Sequence, residues 1–223
     1  MKRGCFVTGT DTGVGKTLVA CALLHAFARR GKRVAGMKPV AAGTSDAAGE
    51  WGNEDVAALA AASNVRAEPR VINPYLLELP VAPHIAAASA DVAIDLAAIE
   101  RAFARLQTLA DAVVVEGVGG FRVPLTHRAD SADLVAQFRL PVVLVVGMRL
   151  GCLNHALLTV EAIAARGVEL AGWVANSIDP QMAKRAENVA ALRARIAAPL
   201  FGEVPFLAPP DPVRAAAVLR LPL

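Results

Sequence analysis

The sequence is poor in aromatic residues and in net charge, and each shortage excludes a class of protein. Aromatic residues make up 4% of the 223 residues, too few for a protein that stacks the bases of single-stranded nucleic acid on aromatic rings. The formal net charge is +3 at pH 7, and the charged residues are spread along the chain, which argues against a nucleic-acid-binding or membrane-binding surface. We therefore expect no nucleic-acid or membrane partner.

Cysteine is also scarce, and Cys5, Cys21 and Cys152 are far apart in the sequence. An odd number of cysteines without CxxC spacing predicts neither a disulfide framework nor a zinc site. The first apolar run, residues 5–8, is too short for a signal peptide. The longer apolar runs stop short of the roughly 20 residues that span a bilayer, or contain charged residues. These features predict a cytoplasmic protein.

Apolar residues are plentiful, at 55% of the chain against 19% charged residues, so a buried core is expected and a disordered chain is excluded. The length suits one domain over residues 1–223. Short β-branched runs alternate with stretches rich in Ala and Leu, which is typical of a parallel sheet wrapped by helices. The predicted strands are residues 5–8, 33–37, 112–116, 141–147, 170–176 and 200–204. The predicted helices are residues 17–30, 96–110, 131–138, 154–166 and 180–196. The predicted fold class is single-domain α/β with a doubly wound, mainly parallel sheet.

Residues 42–83 interrupt this alternation. The segment is polar and contains three glycines and four prolines, so we predict irregular chain with one short helix near residues 55–62. A connection of this length between core elements usually carries function.

A glycine-rich segment, residues 9–17, joins the first predicted strand to the first predicted helix. Gly13 and Gly15 can adopt conformations that turn several backbone N–H groups toward a phosphate, and the helix N-terminus adds a partial positive charge. Lys16 would reach the terminal phosphates and the Thr17 hydroxyl would ligate Mg²⁺. The strict GxxxxGK[ST] pattern is missed by one residue, because Thr10 stands where the first glycine is expected. The strand–loop–helix context nevertheless indicates a phosphate loop.

A phosphate loop needs carboxylates to hold Mg²⁺, which prefers oxygen ligands. Glu116 ends an apolar run and is expected at the carboxyl edge of a parallel strand, where open α/β sheets bind ligands. Asp55 is a second candidate, and from spacing alone Glu54 or Asp46 could serve equally. Lys38 follows the second predicted strand at the same edge and could stabilise negative charge on a reacting group.

Many separate motifs, in order, resemble those of the dethiobiotin synthetases, the ATP-dependent ligases that close the ureido ring in biotin synthesis. The resemblance runs from about residue 3 to residue 207. The matching motifs are residues 6–17, 38–40, 73–75, 83–84, 115–120, 140–142, 151–159, 172–176 and 199–205. The resemblance implies a substrate, 7,8-diaminononanoate, that is carbamated by CO2. ATP would then phosphorylate the carbamate, and the neighbouring amine would displace phosphate and close the ring to dethiobiotin.

The resemblance also implies roles for individual residues and assembly as a homodimer. Lys16 and Lys38 would be catalytic, and Thr17, Asp55 and Glu116 would hold Mg²⁺. ATP would be bound by Gly13, Val14, Gly15, Lys16, Thr17, Leu18, Asp55, Glu116, Gly117, Val118, Gly119, Asn176, Ser177, Pro205, Phe206 and Leu207, with Asn176 reading adenine. Substrate would be bound by Thr12, Lys38, Gly151, Cys152, Leu153 and Asn154.

Residues 151–154 precede a predicted helix, whose free N–H groups suit the substrate carboxylate. The resemblance places this segment at the dimer interface, clamping substrate held mainly by the other subunit. The alternative is an ordinary helix cap with Asn154 as the capping residue.

Two positions depart from the family pattern. Ala42 stands where some relatives have a hydroxyl residue that contacts substrate, so either that contact is absent here or Thr44 or Ser45 replaces it. The tail after Leu207 also differs, and an acidic contact to the nucleotide could fall on Asp211. His84, His127 and Trp51 have no role that the sequence indicates.

Two other functions fit a phosphate loop. A related ATP-dependent amidoligase would normally carry a glutaminase domain, for which 223 residues leave no room. A nucleotide-switch ATPase of the partitioning type would usually have a lysine at the start of the loop, where this chain has Asp11. A membrane-binding relative of that type would also need a basic amphipathic C-terminal helix.

Overall fold

The computed structural model describes residues 3–221. Eight strands are present in this range: β1 (Gly4–Gly9), β2 (Val34–Met37), β3 (Val40–Ala42), β4 (Tyr75–Leu77), β5 (Ala112–Glu116), β6 (Val142–Met148), β7 (Leu170–Ser177) and β8 (Leu200–Val204). Six of them form one sheet in the order β2-β5-β1-β6-β7-β8, and every neighbouring pair in it is parallel. The predicted fold class is confirmed.

Nine α-helices connect and cover the strands within the described range. They are α1 (Lys16–Ala28), α2 (Glu54–Ala62), α3 (Pro69–Ile72), α4 (Pro83–Ser89), α5 (Leu96–Leu109), α6 (Ser131–Phe138), α7 (Cys152–Ala165), α8 (Arg185–Arg193) and α9 (Pro212–Val218). None of the helices in residues 3–221 combines the length and apolar character that crossing a bilayer requires.

The central strands are buried on both faces, which explains their continuous apolar sequences. On one face Phe6 and Val115 pack with Phe103 of α5 and Phe138 of α6. On the other face Val7 and its neighbours pack against α1 and α9. Because β1, β5 and β6 are aligned in register, with Val7 beside Glu116 and Thr8 beside Leu144, their carboxyl ends meet at one edge of the sheet.

The helix predicted near residues 55–62 is present as α2, but the prediction that the rest of residues 42–83 is irregular was wrong. The segment contains a 3-10 turn (Asp46–Trp51), α2, α3 and β4, and β4 pairs in parallel with β3 as a separate two-stranded sheet. The prolines that suggested loops include Pro69 and Pro83, which begin α3 and α4. Proline suits the first position of a helix because its fixed φ is helical and no N–H is needed there.

The last part of the chain differs from the prediction in a second way. The helix predicted over residues 180–196 begins only at Arg185, because Lys184 has a left-handed conformation with φ 55°. Ile196, although buried in the core, follows the helix rather than belonging to it. A further helix, α9, packs against α1 in the same core cluster as Val7. The sequence had indicated no element in this part of the chain.

Candidate functional site

A cleft of about 840 Å³ opens at the carboxyl edge of the sheet, where the loop after β1 meets the ends of β2 and β5. Its lining includes most of the residues that the sequence singled out for phosphate, metal and substrate. They are Asp11, Thr12, Gly13, Gly15, Lys16, Thr17, Lys38, Ala42, Asp55, Glu116, Val118, Gly119 and Gly120. The rest of the lining is apolar and comes from the segment before α4 and from Val123.

The loop has the backbone that the phosphate-loop prediction requires. Gly13 and Gly15 have φ of 74° and 87°, a region that other residues rarely adopt. Gly15 caps α1, and a Cβ at this position would lie 2.1 Å from Asn176 Nδ2. The second glycine is therefore needed both for its conformation and for the close approach of Asn176.

Lys16 begins α1 and turns back over the loop. Its Nζ donates to the main-chain carbonyl of Asp11 at 2.9 Å. Burial lowers the pKa of Lys16, and the positive charge of Lys38 adds to this effect although Glu116 opposes it. An ammonium held among loop carbonyls in this way is available to phosphate oxygens that enter the cleft.

Thr17, Lys38, Asp55 and Glu116 form one cluster at the bottom of the cleft. Thr17 Oγ1 lies 2.8 Å from Asp55 Oδ1 and 2.9 Å from Glu116 Oε1. Lys38 Nζ donates to Asp55 Oδ2 at 2.6 Å and to Glu116 Oε1 at 2.8 Å. The second carboxylate oxygen of Glu116, Oε2, is buried and has no hydrogen-bond partner among the described residues.

Burial and charge act in opposite directions on this cluster. Burial alone would lower the pKa of Lys38, but Glu116 and Asp55 outweigh it and hold the pKa above its ordinary value. Burial alone would raise the pKa of Asp55, but Lys38 outweighs it and the pKa is lowered. Both groups therefore carry their charges at neutral pH.

The choice of Asp55 over its neighbours follows from the start of α2. Asn53 caps this helix by accepting from the backbone N–H groups of Asp55 and Val56, and its own amide donates to the carbonyl of Gly43 at 2.8 Å. The cap fixes which face of the first turn meets Thr17. Glu54 instead accepts a hydrogen bond from Ser45 at 3.1 Å on the exposed side.

The cluster fits a magnesium ion on its oxygen positions. In an octahedron with Mg–O distances of about 2.05 Å, neighbouring ligand oxygens lie about 2.9 Å apart. The distances from Thr17 Oγ1 to the two carboxylates, 2.8 and 2.9 Å, match that spacing. The Thr17 hydroxyl has one proton and can donate to only one of the two. Among residues 3–221 no three His, Cys, Asp or Glu side chains cluster, so the site offers two carboxylates and leaves the other positions to water and phosphate.

A second cleft, of about 490 Å³, lies beside the end of β7. It is lined by Ser177, Asp179, Pro180, Met182, Arg185, Glu203, Pro205 and Phe206, three of which the resemblance assigned to ATP. Asn176 is buried next to this cleft and donates to the carbonyl of Val14 at 2.8 Å. The sequence did not indicate Arg185, which donates to Ser177 Oγ at 2.7 Å and pairs with Glu203 at 3.1 Å.

Four other residues assigned to ATP lie outside both linings, and one of them, Val14, is buried. Gly117 follows β5 and approaches Phe6 so closely that a Cβ would lie 2.9 Å from its ring. Leu18 packs against the core on the α1 side, and Leu207 is buried in the same cluster. Any contact of these residues with nucleotide would have to be through the backbone.

Residues 151–154 form the start of α7 and do not line the phosphate-loop cleft of the same chain. Gly151 is the cap residue, with φ 94° and no side-chain hydrogen bond, so the alternative with Asn154 as the cap was wrong. Cys152 N–H donates to the Arg149 carbonyl, and the helical hydrogen bonds begin with His155 N–H to the Gly151 carbonyl. Among the described residues, the N–H groups of Leu153 and Asn154 have no backbone acceptor.

Sequence reasoning missed Arg149, which follows β6 directly. Its guanidinium pairs with Asp11 Oδ2 in the phosphate loop, while Asp11 Oδ1 accepts from Thr12 N–H at 2.7 Å. The pair joins the loop to the segment that starts α7. No local pattern indicates it, because 138 positions separate the two residues.

Comparison with known proteins shows the family to which this chain belongs. A family model described as an AAA domain matches residues 3–214. The ATP-dependent dethiobiotin synthetase BioD of Aromatoleum aromaticum (strain DSM 19018 / LMG 30748 / EbN1) is 62% identical over 220 residues, which cover 99% of this chain and 98% of that protein. The protein of the same name from Janthinobacterium sp. (strain Marseille) is 55% identical, covering 96% of this chain and 93% of that protein. The chain belongs to the dethiobiotin synthetase family.

Solved structures place this dethiobiotin synthetase family member within a broader fold. The MinC:MinD complex of Aquifex aeolicus matches with a TM-score of 0.58 at 15% identity, covering 96% of this chain and 86% of that one. A ParA family ATPase from Chlorobium tepidum TLS matches with a TM-score of 0.56 at 12% identity, covering 94% and 86%. At these identities the likeness concerns the fold alone.

The structure shows where the positions that depart from the family pattern lie. Ala42 lines the cleft, whereas Thr44 N–H donates to the Glu78 carbonyl and Ser45 donates to Glu54. Asp211 caps α9 by accepting from Val213 and Arg214, which leaves its predicted nucleotide contact untested.

The three residues without a predicted role are placed separately. Trp51 packs against the core and His127 is exposed. His84 lies in the first turn of α4, and its Nδ1 is buried without a hydrogen-bond partner among the described residues.

Proposed function

We propose that this chain converts 7,8-diaminononanoate, CO2 and ATP into dethiobiotin, ADP and phosphate. Membership of the dethiobiotin synthetase family makes it an ATP-dependent enzyme of biotin biosynthesis. The observation that carries the proposal is the cluster of Thr17, Lys38, Asp55 and Glu116 beneath the phosphate loop. Together with Lys16 of the phosphate loop, it would provide two ammonium groups and a divalent-cation site in one cleft, as phosphoryl transfer to a carbamate requires.

The proposed reaction has three steps. One substrate amine adds to CO2 and loses a proton, which gives a carbamate. A carbamate oxygen attacks the γ-phosphorus of ATP, the bond to ADP breaks, and a mixed carbamic-phosphoric anhydride forms. The second amine attacks the anhydride carbon and loses a proton, phosphate leaves, and the ureido ring closes. Phosphorylation is needed because a carbamate oxygen is a poor leaving group and phosphate is a good one.

The side chains of the cleft would supply positioning and charge. The loop N–H groups and Lys16 would hold the terminal phosphates, and Lys38 would stabilise the carbamate and the transferring phosphoryl group. Thr17, Asp55 and Glu116 would hold Mg²⁺, which neutralises charge on the phosphate oxygens. Thr12, which lines the same cleft, would contact the substrate.

The remaining residues assigned from the resemblance would complete the binding of nucleotide and substrate. The second cleft, beside Asn176, would take adenine. Gly151, Cys152, Leu153 and Asn154 of a partner subunit would bind the substrate carboxylate at the free N–H groups of α7, so we propose a homodimer. The unpaired, buried cysteines suit the reducing cytoplasm.

An assay of ADP formation tests the function. We expect turnover only when diaminononanoate and bicarbonate are both present, with a product of the mass of dethiobiotin. Turnover that needs ammonia or glutamine instead of bicarbonate would indicate an amidoligase. Turnover stimulated by DNA, lipid or a partner protein, without either small substrate, would indicate a nucleotide switch.

A further inference from the structure

The Lys38 ammonium lies between the two carboxylates that suit a divalent cation. It contacts Asp55 Oδ2 at 2.6 Å and Glu116 Oε1 at 2.8 Å, and its side chain is only 5% exposed. Glu116 Oε1 is also the oxygen that lies 2.9 Å from Thr17 Oγ1. The same oxygen therefore faces both the ammonium and the hydroxyl expected to ligate Mg²⁺.

Two cations cannot share these oxygens at low cost. A divalent ion bound to Glu116 Oε1 would lie within a few ångströms of Lys38 Nζ, and like charges at that separation in a buried site repel strongly. In the absence of an ion, however, the buried carboxylate of Glu116 needs a positive charge beside it, because an unpaired buried carboxylate is unstable; Asp55 is half-exposed and needs it less. Lys38 meets that need only while no other cation is present.

Only the side chain of Lys38 is free to move. Its N–H donates to the Ile72 carbonyl at 2.9 Å, and its carbonyl accepts from Asn73 Nδ2 at 2.6 Å. The backbone is thus held on both sides, while the side chain borders the open cleft. A rotation about side-chain bonds would move the ammonium from the carboxylates into the space proposed for carbamate and phosphate.

We infer that Lys38 occupies the divalent-cation site of the nucleotide-free protein, and that cation binding displaces its ammonium into the cleft. The inference rests on the proposed function, since it assigns the carboxylates to the metal and Lys38 to the substrate. It adds that the two assignments are linked: Lys38 faces the substrate only when the cation is in place.

Binding of Mn²⁺ to the nucleotide-free protein, measured by electron paramagnetic resonance of the free ion, tests the exchange without turnover. Replacing the ammonium by an uncharged chain of similar length, Lys38→Met, removes the competitor, so we expect the Kd for Mn²⁺ to fall by about 10-fold or more. An unchanged or higher Kd would overturn the inference. Lys38→Arg keeps the charge and should keep weak, wild-type-like binding.

A second variant distinguishes direct occupation of the cation site by Lys38 from a general electrostatic effect of any lysine nearby. Lys16 lies in the same cleft but bonds the Asp11 carbonyl rather than the carboxylates. Lys16→Met should therefore lower the Kd for Mn²⁺ by about 3-fold or less. Equal effects of Lys38→Met and Lys16→Met would overturn direct occupation.

Loss of Lys38 also leaves Asp55 and Glu116 without a cation, so Lys38→Met should be less stable than the wild type. Thermal unfolding is therefore a second test: Mn²⁺ should raise the Tm of the variant much more than that of the wild type, and no rescue by Mn²⁺ would overturn the inference. Failure of the substrate assay with normal Mn²⁺ exchange would instead count against the proposed reaction alone.

Discussion

Charge at the centre of the cleft is balanced residue by residue. Two lysines, Lys16 and Lys38, face two carboxylates, Asp55 and Glu116. Each group is buried or half-buried and has a hydrogen-bond partner of suitable sign or polarity. Removing any one of these charges should therefore change both the reactivity of the site and the stability of the fold. A variant of any of these residues needs a kinetic measurement and a check of folding.

Loss of the phosphate-loop lysine should abolish turnover. In Lys16→Ala the charge at the developing transition state is lost, an effect commonly of about 3 kcal/mol or more, or at least about 100-fold in kcat. Thr17→Val should also abolish turnover. Circular dichroism should show an intact fold in both variants, and a Lys16→Ala protein with wild-type turnover would contradict the assignment.

Changes to the carboxylates should alter the magnesium requirement. Because Asp55 and Glu116 lie within 2.8 and 2.9 Å of Thr17 Oγ1, we expect Asp55→Asn and Glu116→Gln each to raise the Mg²⁺ concentration for half-maximal turnover by about 10-fold or more. Glu54→Gln is the matched control, since Glu54 adjoins Asp55 in sequence but bonds Ser45. Wild-type titration curves for both site variants would place the metal elsewhere.

The Asn176 amide should contribute to recognition of adenine. Its Nδ2 donates to the Val14 carbonyl, and its oxygen can accept from a base. In Asn176→Ala we expect the KM for ATP to rise roughly 10-fold and the preference for ATP over GTP to weaken. Unchanged discrimination between the two nucleotides, measured as a ratio of kcat/KM, would exclude this role.

At the scale of elements, the start of α7 allows a test of carboxylate binding at its free N–H groups. Gly151 has φ 94°, which proline cannot adopt, so Gly151→Pro would distort the loop rather than remove one donor. Leu153 is in the first helical turn, where proline is tolerated, and its N–H has no backbone acceptor among the described residues. The informative variant is therefore Leu153→Pro.

In Leu153→Pro we expect the KM for diaminononanoate to rise about 10-fold or more, because a charged group loses a donor, while the KM for ATP stays within about 2-fold. Leu153→Ala keeps the N–H and should behave as wild type. Equal effects of the two variants, or an undiminished preference for diaminononanoate over an analogue without its carboxylate, would refute carboxylate binding at this helix.

Element boundaries show where local sequence is informative. The β1–loop–α1 unit was predicted from adjacent residues, because a buried strand, two glycines and a helix start are all local features. The pairing of β3 with β4 was not, since it joins three-residue strands that are more than 30 positions apart. Three residues are too few to show the alternation of apolar and polar side chains that predicts a strand.

At the scale of the whole molecule, α7 and the turn before it expose apolar residues near the proposed carboxylate site. Leu150, just before the cap residue of α7, is 96% exposed, and Leu158 within the helix is 56% exposed. If two chains meet here, a charge at Leu158 should be buried without a partner and should weaken association. In sedimentation equilibrium we expect the wild type to form the proposed dimer and Leu158→Lys to be shifted toward monomer, with the dimer Kd raised at least about 10-fold.

Val213→Lys is the control for this experiment, because Val213 is similarly exposed, at 49%, on another helix. Val213→Lys should associate with the same dimer Kd as the wild type. Turnover should fall together with dimerisation, since each site would borrow the start of α7 from its partner. A wild-type protein that is a fully active monomer would refute the shared site.

The sequence by itself determined the α/β class, the phosphate loop with Lys16 and Thr17, the strand-end position of Glu116 and the family, because each depends on neighbouring residues or on motifs in order. Tertiary structure alone brought Asp55, and not Glu54, beside Thr17, placed Lys38 between the carboxylates, and paired Arg149 with Asp11. These contacts join residues that are distant in the chain. Which of several similar side chains reaches the cleft depends on a helix cap, a strand register and a rotamer, and none of these is set until the whole sheet has formed.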